Sequence, residues 1–179
     1  VKRAVKLAVG GAEAVHLYAD GKGRGLKKRK ADFITTLVKE VHFKLVDEGV
    51  REELTLLVSG GIAMAEHVAK AMICGADGVG VDAALMVALE CRLCRVCKSE
   101  ISCPVDLGTA PVEWAEKRIV NLIGSWHSQL IELMGAMGLR EARRLRGELG
   151  RVMFFEDLER ENFGPLFGER VKGSQAAPT

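Results

Sequence analysis

The sequence lacks any strong excess of charge. Its 26 lysines and arginines against 24 aspartates and glutamates leave a formal +2, too little to argue for nucleic acid as a partner. Long apolar runs are also missing, and nothing approaches the roughly 18 residues needed to cross a bilayer, so no membrane span is expected. The opening Val1-Lys2-Arg3-Ala4-Val5-Lys6 has neither the apolar core nor the small-residue cleavage site of a signal peptide. It also lacks an initiator methionine and a helix cap, although apolar residues already recur at helical spacing (Val1, Ala4, Val5, Ala8, Val9). The expectation is a chain that continues something longer. Five cysteines, an odd number, without a signal argue against a disulfide framework and for a reducing compartment, the cytoplasm by default. What remains is ordinary: 179 residues, 48% hydrophobic and 28% charged, enough for one soluble domain with a core.

Periodicity divides the chain. Residues 2–9 read as a short helix stopped by Gly10-Gly11. The continuous apolar run 14–19 predicts a strand buried on both faces. Asp20–Gly25 is a glycine-rich loop, followed by four consecutive basic residues, Lys27 to Lys30. A helical stripe over 33–48 ends at Gly49, a second buried strand covers 54–58, a helix 63–74, a third strand 77–81, and a helix begins at Ala83. An internal echo supports this order: Gly11-Ala12-Glu13 and Gly75-Ala76-Asp77 each stand between a helix end and a strand. Strands separated by single helices imply right-handed crossovers and a parallel sheet. That sheet is either open and doubly wound or part of a (β/α)8 barrel; a complete barrel needs about 250 residues, so three units make less than half of one. Residues 111–139 and 140–160 read as helices, the first with an apolar stripe of Trp114, Ile119, Leu122, Ile123, Trp126, Leu130, Leu133 and Met137. From Phe163 onward the Gly/Pro-rich chain is expected to be loosely ordered.

Four of the five cysteines fall in one stretch, Cys91, Cys94, Cys97 and Cys103, spaced C-x2-C-x2-C-x5-C with Pro104 after the last. Four close thiols can surround one metal centre, whereas a catalytic thiol needs one and a redox dithiol two. The spacing resembles the C-x2-C-x2-C-x3-C-P run of bacterial ferredoxins with two extra residues, which favours an iron–sulfur cluster. A structural zinc site is the alternative, although zinc patterns usually pair two separated C-x2-C units; disulfides or unrelated thiols come third.

Ser59-Gly60-Gly61-Ile62 lies at the carboxyl end of the second strand, just before a helix, and Gly80-Val81-Asp82 occupies the same place after the third. Glycines there let backbone amides approach an anion, and in barrels the loops after the last two strands form the recurrent phosphate site. The alternative is glycines serving only tight turns.

Together, Val58–Ile62, His67–Ala71, Gly75–Gly80 and the cysteine stretch ending Cys103-Pro104-Val105 resemble the FMN-binding synthase domain of glutamate synthase, in its shorter archaeal-type branch. The resemblance covers about residues 1–150. It implies the C-terminal part, about three βα units, of a (β/α)8 TIM barrel of FMN-linked oxidoreductase type, with strands 14–19, 54–58 and 77–81 as the sixth, seventh and eighth. Residues 1–90 would be the partial barrel, 91–110 an iron–sulfur loop and 111–179 a helical extension. Carried over by position, Ser59, Gly60, Gly61, Ile62, Gly80, Val81 and Asp82 would bind FMN, largely through backbone amides at its phosphate. The family's three cysteines fall on Cys91, Cys97 and Cys103. The last interval is longer here and Asp106 replaces the glycine after Pro-Val, while Cys94 is an additional thiol. Both 3Fe-4S and 4Fe-4S clusters therefore stay open.

The resemblance also implies a reaction: reduction of 2-iminoglutarate, from 2-oxoglutarate and ammonia, to glutamate, with electrons passing between cluster and FMN. The earlier barrel strands that hold most of the flavin and substrate are absent, as is a glutaminase domain. Alone, the segment is expected to catalyse nothing. Its implied partners are the remainder of the barrel, as an upstream segment or another subunit, and an electron-donor protein or NAD(P)H-dependent subunit, in an oligomer or complex. The rivals are a non-catalytic iron–sulfur electron-transfer or scaffold subunit and a structural zinc module. Among weaker candidates, Lys22, Arg24 and Lys27–Lys30 suit a solvated loop better than an anion site, and His16 a core role better than a flavin contact. His42, His67 and His127 suit surface or packing roles, Cys74 a small buried hydrophobe, and the Trp114/Trp126 stripe packing.

Overall fold

A computed structural model describes residues 1–26, 32–94, 97 and 103–149. The chain divides into two compact units, Val1–Glu148 and Leu149–Thr179; every element described lies in the first. Three parallel strands, β1 (Ala14–Tyr18), β2 (Thr55–Ser59) and β3 (Gly78–Gly80), form a sheet in the order β1-β2-β3. Register pairs Tyr18 with Ser59 and Ser59 with Gly80, so the carboxyl ends of all three strands stand level. Helices α1 (Lys2–Val9), α2 (Ile34–Asp47), α3 (Ala65–Ile73) and α4 (Ala83–Ala88) alternate with the strands. A single helix between parallel neighbours is the crossover such pairing requires.

The core follows from helical spacing. Ile34, Val38, Val41 and Leu45 make one buried stripe on α2, and Ala65, Ala69 and Ile73 a narrower one on α3. Against them lie Val15, Leu56 and Val58. On the opposite sheet face Ala14, His16, Tyr18, Thr55 and Leu57 are exposed, Tyr18 by 56%. The expectation of strands buried on both faces is thus met on the helix side only, because no described element covers the other. Strand edges are open as well: among the described residues β1 and β3 each pair with β2 alone.

After β3 and α4 comes a 25-residue helix, α5 (Val112–Ala136), lying on α3 and α4. Trp114, Trp126, Leu130 and Leu133 are half-buried there, as packing requires, while Ile123 of the same expected stripe is exposed. The helix expected over 140–160 is corrected for residues 140–148, where the helical element is a 3-10 turn, Ala142–Leu145. Gly138 stops α5 with φ +68° and the Leu139 amide donates to Met134 O. Leu145 is then fully buried and Arg146 is drawn to Asp77. Residues 150–160, and the tail expected to be loosely ordered from Phe163, lie outside the described residues.

At the amino ends of the strands sits a polar cluster. Arg51, only 3% exposed, donates to Leu54 O (2.9 Å), Gly75 O (2.8 Å), Asp77 Oδ2 (2.8 Å) and His42 Nδ1 (3.1 Å). Asp77 also accepts from the Leu56 amide (2.8 Å) and from Arg146 (2.9 Å), and Arg146 reaches on to Glu52. Burial pushes the Asp77 carboxyl up, but the Leu56 amide and the two guanidiniums outweigh it and hold it below the ordinary range. Burial, seconded by the positive charges of Arg51 and Arg146, pushes His42 below its ordinary 6.5. His42 therefore stays neutral and accepts the Arg51 Nε–H.

Replacing Arg51 by methionine leaves these acceptors buried and half-paired; the urea midpoint should fall by the equivalent of roughly 3 kcal/mol. His42 also sets a pH dependence. Its folded pKa lies below the unfolded value, so its contribution is fully present above about 6.5 and is lost as pH falls through the folded pKa. The thermal midpoint should drop between pH 7 and 5, and His42→Gln should shrink that drop; an unchanged drop in the variant would contradict this role.

Candidate functional site

At the carboxyl ends of β1 and β2 two loops interlock. Asp20 builds the first: its Oδ1 accepts the amides of Lys22 and Arg24, each at 2.8 Å. Bonds from the Arg24 and Lys22 amides lower its pKa. Arg24 lies over the Phe33 ring, 5.3 Å from its centroid. The basic side chains Lys22 and Arg24 thus flank a tightly folded loop, while Lys27, Lys28, Arg29 and Lys30 lie outside the described residues. The second loop is Ser59–Ile62. Gly60 and Gly61 have φ +95° and +75°, and a Cβ on Gly60 would stand 2.2 Å from Ala19 O, one on Gly61 2.6 Å from Gly23 Cα. Both positions must be glycine for the loops to touch. Turn geometry alone thus accounts for Gly60 and Gly61.

Gly80 differs. On the exposed face of the sheet β3 carries only Gly78 and Gly80, where a Cβ would meet Leu57 Cδ2 and Ser59 Cβ, each at 3.0 Å. β3 therefore presents bare backbone next to Ser59, a surface that a flat ring or a phosphate can approach closely. This placement fits the group that the resemblance implies. Ser59 Oγ lies 2.7 Å from His16 Nε2 across the β1–β2 pair, a partnership that sequence reading missed. Only the alternation of strand side chains pointed to it. Ile62 is buried at 3% and faces the helices. Asp82 caps α4, its Oδ1 accepting the Ala83 amide at 2.5 Å. Its negative side chain repels an anion, so any phosphate contact from Val81-Asp82 must come through the backbone. His67 stands under the second loop, its Nδ1 3.0 Å from Gly61 O and 3.2 Å from the Ala63 N–H, meeting one or the other according to its tautomer. His127 is exposed, and Cys74 is fully buried with its thiol pushed up by burial, as a packing residue should be.

The cysteines are held individually. Cys91 and Cys103 are half-buried, Cys94 and Cys97 exposed. Cys91 Sγ accepts the Leu93 amide at 3.4 Å. The nearby backbone amides of Val105 and Leu107, with that of Asp106 in support, lower the Cys103 thiol's pKa; Asp106 turns the chain with φ +47°. Amide-cradled sulfurs suit thiolates that ligate a metal. Among the described residues, however, no three His, Cys, Asp or Glu side chains converge as a metal site.

Residues 30–140, more than half of the chain, match the family model described as the conserved region in glutamate synthase. The archaeal glutamate synthase [NADPH] of Methanocaldococcus jannaschii is 33% identical over 162 residues, 83% of this chain and 32% of that protein. The chain belongs to the glutamate synthase family. The Archaeoglobus fulgidus enzyme of the same name is 36% identical over 130 residues, 68% of this chain and 25% of that one. A ferredoxin-dependent glutamate synthase of Cyanidium caldarium is 34% identical over 115 residues, 62% of this chain and 7% of it. The chain therefore spans a third or less of the length of these curated relatives. Among solved structures, flavocytochrome b2 variants share the fold. One with benzoylformate matches at TM-score 0.56 and 19% identity over 99% of this chain and 40% of that one. Another, with pyruvate bound, matches at 0.53 and 22% over 83% and 31%.

Two outcomes test this geometry. Gly60→Ala should disrupt the loop pairing and destabilise the protein by about 1–3 kcal/mol, whereas Gly108→Ala, whose Cβ would meet only Asp106 Oδ1 at 4.0 Å, should not. Iodoacetamide labelling of Cys103 in metal-free protein, followed by mass spectrometry, should show a pH midpoint below that of a free cysteine peptide.

Proposed function

We propose that the chain forms the last three βα units of an FMN-binding (β/α)8 barrel in a glutamate synthase-type oxidoreductase. The observation that carries this reading is the one-sided sheet. Among the described residues three level parallel strands are covered by helices on one face and bare on the other, with both edges open, and residues 30–140 match the family. Barrel strands have this character, their second face filled by side chains from the other strands.

In such a barrel the backbone of Ser59–Gly61 and Gly80–Asp82 would hold the FMN phosphate. Ser59, fixed by His16, would present its hydroxyl beside the glycine-only surface of β3. Cys91, Cys97 and Cys103, with Cys94 as a fourth thiol, would hold an iron–sulfur cluster, of 3Fe-4S or 4Fe-4S type. When bound, these groups would supply the redox chemistry, electron exchange between cluster and flavin and hydride donation to 2-iminoglutarate. The chain's own residues would bind and orient these groups. Residues that hold the substrate belong to the missing units, so activity requires an upstream segment or another subunit, together with an electron donor. No helix among the described residues is long and apolar enough to cross a membrane; the family reading, taken alone, implies a biosynthetic assembly in the cytoplasm.

The test is cofactor content. Purified anaerobically with the segment that completes the barrel, the protein should carry flavin and iron, and Ser59→Ala should weaken flavin binding. A colourless protein with stoichiometric zinc would contradict the reading, and iron without flavin would favour an electron-transfer subunit. Cys94→Ser decides the cluster: unchanged iron and spectrum mean three cysteine ligands, lost iron means four.

A further inference from the structure

The end of α4 closes in a hydrogen-bond pattern normally reserved for glycine. The Glu90 amide donates to Val87 O and the Cys91 amide to Met86 O, each at 2.9 Å. This double closure requires a left-handed residue between them. That residue is Glu90, with φ +64°, although glycine adopts the conformation without strain. A glutamate here needs a reason, and α5 supplies one. Arg118 Nη2 donates to Glu90 Oε1 at 2.7 Å, its Nε donates to Ala88 O at 2.6 Å, and its guanidinium lies over Trp114, 5.1 Å from the ring centroid. The planar guanidinium thus takes a carboxylate, a helix-terminal carbonyl and an aromatic face together, which lysine cannot do. The next residue after the clamped one is Cys91, whose amide completes the closure and whose Sγ accepts the Leu93 amide. Leu93 is itself left-handed, with φ +50°.

We propose that the Arg118–Glu90 clamp is a positioning device for the cysteine loop, holding the first thiol, Cys91, in place from a residue 27 positions further along the chain. The proposal rests on the reading of Cys91 as a metal ligand, but the clamp itself acts on the thiol with or without metal. Strain at Glu90 is retained because its carboxylate is the anchor that glycine lacks. Arg118 is a positioning residue; it bonds the carbonyl and carboxylate that precede Cys91.

Glu90→Gly separates clamp from cap. Glycine relieves the left-handed strain and keeps both closing bonds, so the thermal midpoint should hold or rise. In the intact assembly stripped of metal, iodoacetamide should label Cys91 roughly fivefold faster, the scale of losing one partly exposed ion pair. Cys103 labelling should not change. Bound iron per chain should fall in parallel. Arg118→Gln should reproduce both effects, and Arg118→Lys should fall between. If Glu90→Gly leaves Cys91 labelling and iron at wild-type levels, Glu90 is a helix cap only and the proposal is overturned. If Cys91 and Cys103 accelerate together, the variant loosens the whole loop and the proposal fails likewise. Wild-type protein without iron overturns the ligand reading, whereas the labelling arm still decides the clamp.

Discussion

Asp77 is where this fold is tied. Its carboxylate takes the Leu56 amide of β2, the buried Arg51 that follows α2, and Arg146 from beyond α5. Three separate stretches of chain meet on one side chain whose charge the two guanidiniums and that amide keep ionised. A carboxylate so placed is costly without its partners and fixes register with them. The network stands at the amino ends of the strands, the end of a βα unit that serves stability. The opposite ends are left to glycines, short contacts and a serine.

That division explains why the carboxyl ends can be sparse. Gly60 and Gly61 let the loops after β1 and β2 touch, and Gly78 and Gly80 strip β3 of side chains where it borders Ser59. Bare backbone bordered by the buried Ser59 allows close approach rather than charge-driven contact. On the same face Tyr18 and Leu57 leave apolar side chains exposed. Both features follow if the sheet is one part of a larger ring.

Much of this was legible in the sequence because it is local. Period-2 and period-3.6 patterns and glycine stops located the three strands and helices α1 to α5 to within three residues, and the Gly-Ala-acid echo marked Asp77 before its role was visible. Family resemblance supplied the context for Ser59–Ile62 and Gly80–Asp82. What escaped is non-local. Arg51, Asp77 and Arg146 are scattered along the chain, and Arg118 lies 28 residues from Glu90; no spacing rule links them. His16 looked like a core histidine until the parallel register set it opposite Leu57 and within reach of Ser59. The helix expected over 140–160 failed within its described part because Gly138 and the pull of Asp77 on Arg146 outweigh a helical charge pattern. Burial on both faces was read from continuous apolar runs, whereas among the described residues only one face of the sheet is covered.

Amide hydrogen exchange on the intact assembly distinguishes a closed barrel from an open sheet. If the three strands are part of a closed barrel, the alternate amides of β1 and β3 that point away from β2 are bonded to neighbouring strands. They should then exchange as slowly as those of Leu56 to Ser59. Rapid exchange of the outward amides of β1 and β3, beside a protected β2, would show an open three-stranded sheet and contradict the account.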